Sequence, residues 1–141
     1  MAIGPRYLAD KSALARLCYP EVSAVLAPMI LAGHVCTCAI VELEVLYSAR
    51  SLEDLVKTRS TRSLAFPSIE IMQADFDRAL GVMEELARRG LHRAVGIPDL
   101  LLAAVAEREN LTLLHFDADF DHVVGVTGQP MQWIVPRGTV P

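Results

Sequence analysis

Hydrophobic and polar positions along the chain follow two alternating periods. Short apolar or β-branched runs at 6–10, 34–38, 68–72, 111–116 and 131–135 predict strands, and the stretches 12–17, 21–32, 39–50, 52–64, 73–89, 98–109 and 118–124 predict helices. Strands that alternate with helices in this way predict an α/β fold, with a mostly parallel sheet of about five strands covered on both faces. The punctuation agrees. Gly33 ends one helix, Pro67 stops another, Gly90 follows a helix with arginines in its last turn, and Pro98 suits the first turn of the next. No internal repeat or low-complexity segment interrupts the pattern, and 136–141 reads as an exposed, mobile tail.

At 141 residues and 52% hydrophobic content, the chain is expected to form a single domain, 1–141, around one core. Its longest apolar stretches, 24–32 and 100–106, fall short of the roughly 20 residues that span a bilayer. No membrane segment is expected, and the N-terminus lacks the basic and apolar regions of a secretion signal, so the expected location is cytoplasmic. Apolar content this high also predicts that surface helices bury area against a second copy, as a homodimer. Cys18, Cys36 and Cys38 form an odd set with no companions at zinc-finger spacing and are read as reduced, structural thiols. A formal net charge of −4 argues against nucleic-acid binding driven by global charge. Two local basic clusters remain, Arg50, Lys57, Arg59 and Arg62 in one and Arg88, Arg89, His92 and Arg93 in the other. Each is read first as a solvated helix face and second as a phosphate contact.

The acidic residues change the picture. Asp10 closes the run Tyr7-Leu8-Ala9 and Asp117 closes 111–116, so two carboxylates stand just past the ends of two predicted strands. In an open α/β sheet that edge is the ligand crevice. If the strands are parallel neighbours the carboxylates converge, and converging carboxylates share protons or hold a hard cation such as Mg²⁺ or Mn²⁺. The residues therefore point to a metal-dependent hydrolase. Each acid has a plainer role as well. Asp10 can cap the helix that follows it, and Ser12 can cap too, or steady the site by bonding a phosphate or a metal-bound water. Glu44 lies in a helix that is apolar nearly all round, but Glu42 is only about 200° away, and periodicity does not choose between them. Asp99 opens the most apolar helix of the chain, where an acid also satisfies the helix dipole. Of Asp117-Ala118-Asp119-Phe120-Asp121, one acid must cap a short helix. Asp117 is best placed for metal, Asp119 is a second ligand or the cap, and Asp121 is a solvated first-turn acid.

Taken together, Asp10-Lys11-Ser12-Ala13, Leu43-Glu44-Val45-Leu46-Tyr47-Ser48-Ala49-Arg50, Ile97-Pro98-Asp99 and Phe116-Asp117-Ala118-Asp119-Phe120 resemble the successive acidic motifs of PIN-domain ribonucleases. Their order and spacing, and the length of the chain, resemble the VapC toxins of bacterial toxin–antitoxin pairs, and the likeness covers nearly the whole chain. It implies a PIN-like three-layer α/β/α sandwich, a divalent-metal site and endonucleolytic cleavage of RNA, with tRNA or rRNA as target and arrest of translation and growth as result. It implies that Asp10, Glu44, Asp99 and Asp117 are catalytic and hold Mg²⁺, or alternatively Mn²⁺, with Asp119 as an auxiliary ligand. It also selects Glu44 over Glu42, because the family's glutamate precedes the hydrophobic pair and small residue matched here by Val45-Leu46-Tyr47-Ser48. A VapB-type antitoxin is the implied partner, with a segment in an apolar groove and a basic side chain sent toward the acidic pocket. The first motif departs from the family's usual Asp-Thr-Ser by carrying Lys11. Lys11, Ser12, Arg16, Arg50, His92 and Arg93 are the candidates for binding the RNA. Two other functions stay open: a phosphatase of the haloacid dehalogenase type, prompted by Asp117-x-Asp119 after a strand, and a non-catalytic binding domain whose acids cap helices and anchor a partner's arginines.

Overall fold

The computed structural model describes residues 4–141. In chain order the elements are β1 (Tyr7–Ala9), α1 (Lys11–Leu14), α2 (Pro20–Leu31), β2 (Val35–Cys38), α3 (Ala39–Leu46), α4 (Leu52–Ala65), β3 (Ser68–Ile69), α5 (Gln73–Arg88), α6 (Ile97–Arg108), β4 (Thr112–His115), α7 (Asp119–Thr127) and β5 (Met131–Trp133). All strand pairs are parallel, in the order β3-β2-β1-β4-β5. The central strand is β1, where Leu8 stands opposite Cys36 of β2 and Leu113 of β4.

Strand alternation divides the core in two. Leu8, Cys36, Cys38 and Leu113 face one side and pack with Val41 of α3, Val82 and Leu86 of α5, Leu102 and Val105 of α6, and Phe120 and Val123 of α7. Ala9, Val35 and Leu114 face the other side and meet Ala13 of α1 and Val22 and Leu26 of α2. The result is the expected α/β/α sandwich. Helix α6 lies deep in the first layer, with every residue from Leu100 to Ala106 buried, and this explains why its sequence is apolar without a polar stripe. Two helix ends turn through the left-handed region. Gly90, at φ +71, lets Leu91 N–H reach the Leu86 carbonyl, and Asn110, at φ +54, does the same for Leu111 and Ala106.

Several predicted boundaries move for identifiable reasons. The strand expected at 68–72 stops at Ile69, because the Glu70 carbonyl accepts from Arg108 Nη2 (2.7 Å) rather than from a ladder partner. The helix expected over 39–50 ends at Leu46, where Ser48 and Ala49 N–H groups close tighter turns on Val45 and Leu46 and Ser51 caps α4. In the segment read as a tail, residues 136–139 are exposed, but Val140 is buried in the second core and the Pro141 carbonyl accepts from Arg16 Nε (2.8 Å). Cys36 and Cys38 are buried and lie among core side chains, and burial pushes the Cys36 thiol up to about 12. No helix of the described residues is long and apolar enough to cross a membrane.

Candidate functional site

The order of strands reverses across the β1–β4 neighbours: from β1 the chain moves outward through β2 to β3, then crosses back to β4 and on to β5. An open parallel sheet leaves its crevice at such a switch, outside the carboxyl ends of the strands. Asp10 stands at the end of β1, with its N–H donating to the Leu114 carbonyl (2.9 Å), and Asp117 stands two residues past β4. Asp10 is buried, and its Oδ2 accepts the Ser12 N–H (3.0 Å) as the N-cap of α1. Because Asp10 fills that role, Ser12 does not cap. Its Oγ accepts the Phe116 N–H (2.9 Å) instead and joins the turn after β1 to the turn after β4.

Ahead of α7, whose N-cap is Ala118 without a side-chain cap, Asp117 Oδ1 accepts the Asp119 N–H (2.9 Å). Asp119 is thereby left with its carboxylate toward Asp117 and toward Asp99 in the first turn of α6. The ligand oxygens of Asp99, Asp117 and Asp119 all lie within 4.8 Å of one another, the one such metal-competent group among the described residues. Asp10 and Glu44 belong to the same electrostatic unit. Burial, followed by the charges of Asp10, Asp117, Glu44 and Asp119, pushes the Asp99 carboxyl up to about 7. Glu44 is raised by burial and by Asp10, with Lys11 pulling the other way, and Asp119 is raised by burial and by Asp117. An all-carboxylate, half-buried donor set suits a hard divalent cation, which would offset the mutual repulsion that adds to burial in raising these pKa values.

Glu42 is engaged elsewhere. It accepts from Thr37 Oγ1 (2.6 Å) and, in a fork, from Arg62 Nε (2.8 Å) and Nη2 (2.6 Å). Burial pushes Glu42 up, but the hydrogen bonds from Arg62 and Thr37 outweigh it and hold the carboxyl below its ordinary value. The structure thus turns Glu44 toward the other acids and Glu42 away from them.

The candidate cations are spread around this centre. Lys11 lies close enough to Glu44 to lower its pKa. Arg50, His92 and Arg93 are exposed, the last two between α5 and α6. Arg16 is committed within the protein, donating to the Ser12 carbonyl (2.8 Å) and to Pro141, with its guanidinium 4.4 Å from the Phe116 ring centroid. Sequence reasoning passed over His115, the last residue of β4. It is buried against Phe120 and Trp133, and its Nδ1 accepts the Asp117 N–H (3.2 Å). The available signal was one polar residue in an otherwise apolar strand, two positions before an aspartate.

Two apolar surfaces lie on the helices that carry Glu44 and Asp99. A groove of about 760 Å³ runs between α3 and α4, lined by Leu43, Leu46, Tyr47, Leu55 and Phe66, with the Glu42–Arg62 pair in its wall. Across α5 and α6, Phe76, Leu80 and Ile97 are exposed around a smaller hollow of about 240 Å³.

Over residues 7–126 the chain matches the family model described as PIN domain. It is 45% identical over 135 residues to Ribonuclease VapC51 of Mycobacterium tuberculosis, covering 96% of this chain and 97% of that protein. It is 40% identical over 134 residues to Ribonuclease VapC21 of the same organism, covering 95% and 97%. Among solved structures, the fold is similar to DNA-bound VapBC from Salmonella typhimurium, with a TM-score of 0.76 at 16% identity over 93% of this chain and 99% of that one. It is also similar to VapBC-5 from Mycobacterium tuberculosis, with a TM-score of 0.63 at 21% identity over 90% and 98%.

Proposed function

We propose, from the premise that this chain belongs to the PIN-domain family and to its VapC ribonucleases, that it is a divalent-metal-dependent endoribonuclease and the toxin of a toxin–antitoxin pair. The observation that supports the metal is the Asp99–Asp117–Asp119 group, in a crevice where burial, together with the charge of the neighbouring acids, raises Asp99 to about 7. Bound Mg²⁺ or Mn²⁺ supplies a Lewis acid that activates water and offsets charge on the phosphoryl oxygens. Asp99, Asp117 and Asp119 hold the ion, while Asp10, fixed by its cap bond to Ser12, and Glu44 supply the remaining negative charge and orient the water. Lys11 beside Glu44 and the exposed Arg50, His92 and Arg93 receive the phosphates of the strand. Ser12, its Oγ already accepting one N–H, keeps its own O–H to donate. The target is a tRNA or rRNA in the cytoplasm, and its cleavage stops translation and growth.

The partner is a VapB-type antitoxin. The solved relatives with this fold include VapBC complexes, and the groove between α3 and α4 offers an apolar track for a helical or extended segment. A basic side chain of that segment reaches the acidic crevice, since α3 carries both the groove residues Leu43 and Tyr47 and the site residue Glu44. The exposed Phe76, Leu80 and Ile97 surface seats a second copy of the chain. Family membership sets the phosphatase alternative aside.

Cleavage of total cellular RNA by the purified protein and by Asp10→Asn, with Mg²⁺, Mn²⁺ or EDTA, tests the reading. Discrete fragments that require metal and vanish in the folded variant are expected. No cleavage by folded, antitoxin-free wild type on a substrate set that includes intact tRNA and rRNA would favour the non-catalytic binding domain.

A further inference from the structure

His115 is 1% exposed, on the same face of β4 as Leu113, a position where an aliphatic side chain would serve packing alone. The histidine adds a hydrogen bond at the point where the sheet runs out. The ladder to β5 extends as far as the His115 carbonyl, which accepts from Ile134 N–H (2.8 Å), and two residues later the Asp117 N–H points to His115 Nδ1 at 3.2 Å. An imidazole accepting at Nδ1 carries its proton on Nε2. The ring cannot swing away, because Phe120 of α7 lies at 4.9 Å and Trp133 of β5 at 5.1 Å, centroid to centroid. Trp133 is itself held, through its indole N–H to Asp121 Oδ1 (3.2 Å) and an edge contact with Phe116 at 5.3 Å. Asp117 is therefore fixed twice, at its main chain by His115 and at its carboxylate by the Asp119 N–H.

We propose that His115 is a positioning residue for the metal centre: its Nδ1 holds the Asp117 main chain so that the carboxylates of Asp117 and Asp119 meet a divalent cation in one orientation. The inference rests on the metal-nuclease reading above. Groups that orient metal ligands from behind typically change metal affinity by about 10–100-fold when removed, and His115 differs from most of them in acting through the ligand's amide rather than its side chain.

Two substitutions separate orientation from packing. His115→Phe keeps an aromatic ring between Phe120 and Trp133 and removes the acceptor. His115→Asn loses the ring and places Oδ1 at the bond position of Nδ1. Calorimetric titration of Mn²⁺ into the metal-free proteins, beside their melting temperatures, is expected to show opposite rankings. The Phe variant should melt near wild type and bind Mn²⁺ about 10–100-fold more weakly, while the Asn variant should melt lower and keep an affinity close to wild type. A role in packing alone predicts the Asn variant to be worse in both. Wild-type affinity in the Phe variant would overturn the proposal and leave the nuclease reading intact, whereas wild-type protein that takes up no Mn²⁺ would overturn both. If the Phe variant does not fold, the wild-type protein decides: a through-hydrogen-bond coupling between the Asp117 amide and His115 Nδ1 in ¹⁵N-labelled protein supports the proposal, and its absence sinks it.

Discussion

An aspartate that titrates near 7 does so where most aspartates are already ionised, and Asp99 owes this to burial and to four acidic neighbours. Its folded pKa lies above its ordinary value of 3.8, so the folded protein retains a proton that the unfolded chain has released. The associated stability is fully present below about 3.8 and is lost as pH rises through about 7. In EDTA, the melting temperature of wild type relative to Asp99→Asn should fall between pH 4 and 8, by a few degrees given the half-exposed site, with the variant the more stable at pH 8. Calorimetry at several pH values checks this, and parallel profiles would show that Asp99 carries no such strain. The same proton competes with metal, so the rise in melting temperature with Mn²⁺ should shrink as pH drops below about 7. At this scale the sequence exposed Asp10, Asp99 and Asp117 because charges at the ends of apolar runs are conspicuous. Periodicity could not separate Glu44 from Glu42, and only the family resemblance chose between them. The physical reason for that choice is Arg62, 20 residues further on, which the fold brings back onto Glu42. The amide of Asp117 bonding back to His115 was equally silent, since main-chain groups leave no trace in composition.

Between elements, α5 and α6 are joined by a pair that differs in kind from its surface neighbours. Asp75, 1% exposed, accepts from Arg108 Nε (2.8 Å) and Nη2 (3.1 Å) and also caps α5 by accepting the Met72 N–H (2.8 Å). Removing one partner of a buried pair strands the other, at a cost of about 3–5 kcal/mol. Arg108→Met should lose that much in denaturant unfolding, whereas Arg78→Met, which breaks the more exposed pair with Glu107, should lose less than about 1 kcal/mol. Equal losses would show that the burial of Asp75 does not set the cost. Helices and strands were legible in type and order because their periods are set locally. Their ends were not, because β3 stops where Arg108 takes the Glu70 carbonyl and α3 stops where Ser51 begins another helix.

Across the whole molecule, the sequence predicted one sheet with helices on both faces, and the structure has that sheet, all parallel. Composition indicated surplus apolar surface without locating it. Part of the surplus lies on α5 and α6, where Leu80 is 64% and Ile97 74% exposed, and in the groove beside α3, and part on α2 and α4, where Leu31 and Leu64 are exposed. If a second copy seats on this face as proposed, Leu80→Glu should lower the mass seen in sedimentation with little change in melting temperature, and an unchanged mass would show that this face carries no such contact. The bond from Phe116 N–H to Ser12 Oγ spans 104 positions of sequence, and the Asp10 amide likewise waits for Leu114. On the ribosome, residues near the start of the chain must therefore remain unpaired until β4 has left the exit tunnel. The acidic crevice thus cannot close until Phe116, 104 residues beyond Ser12, has been made.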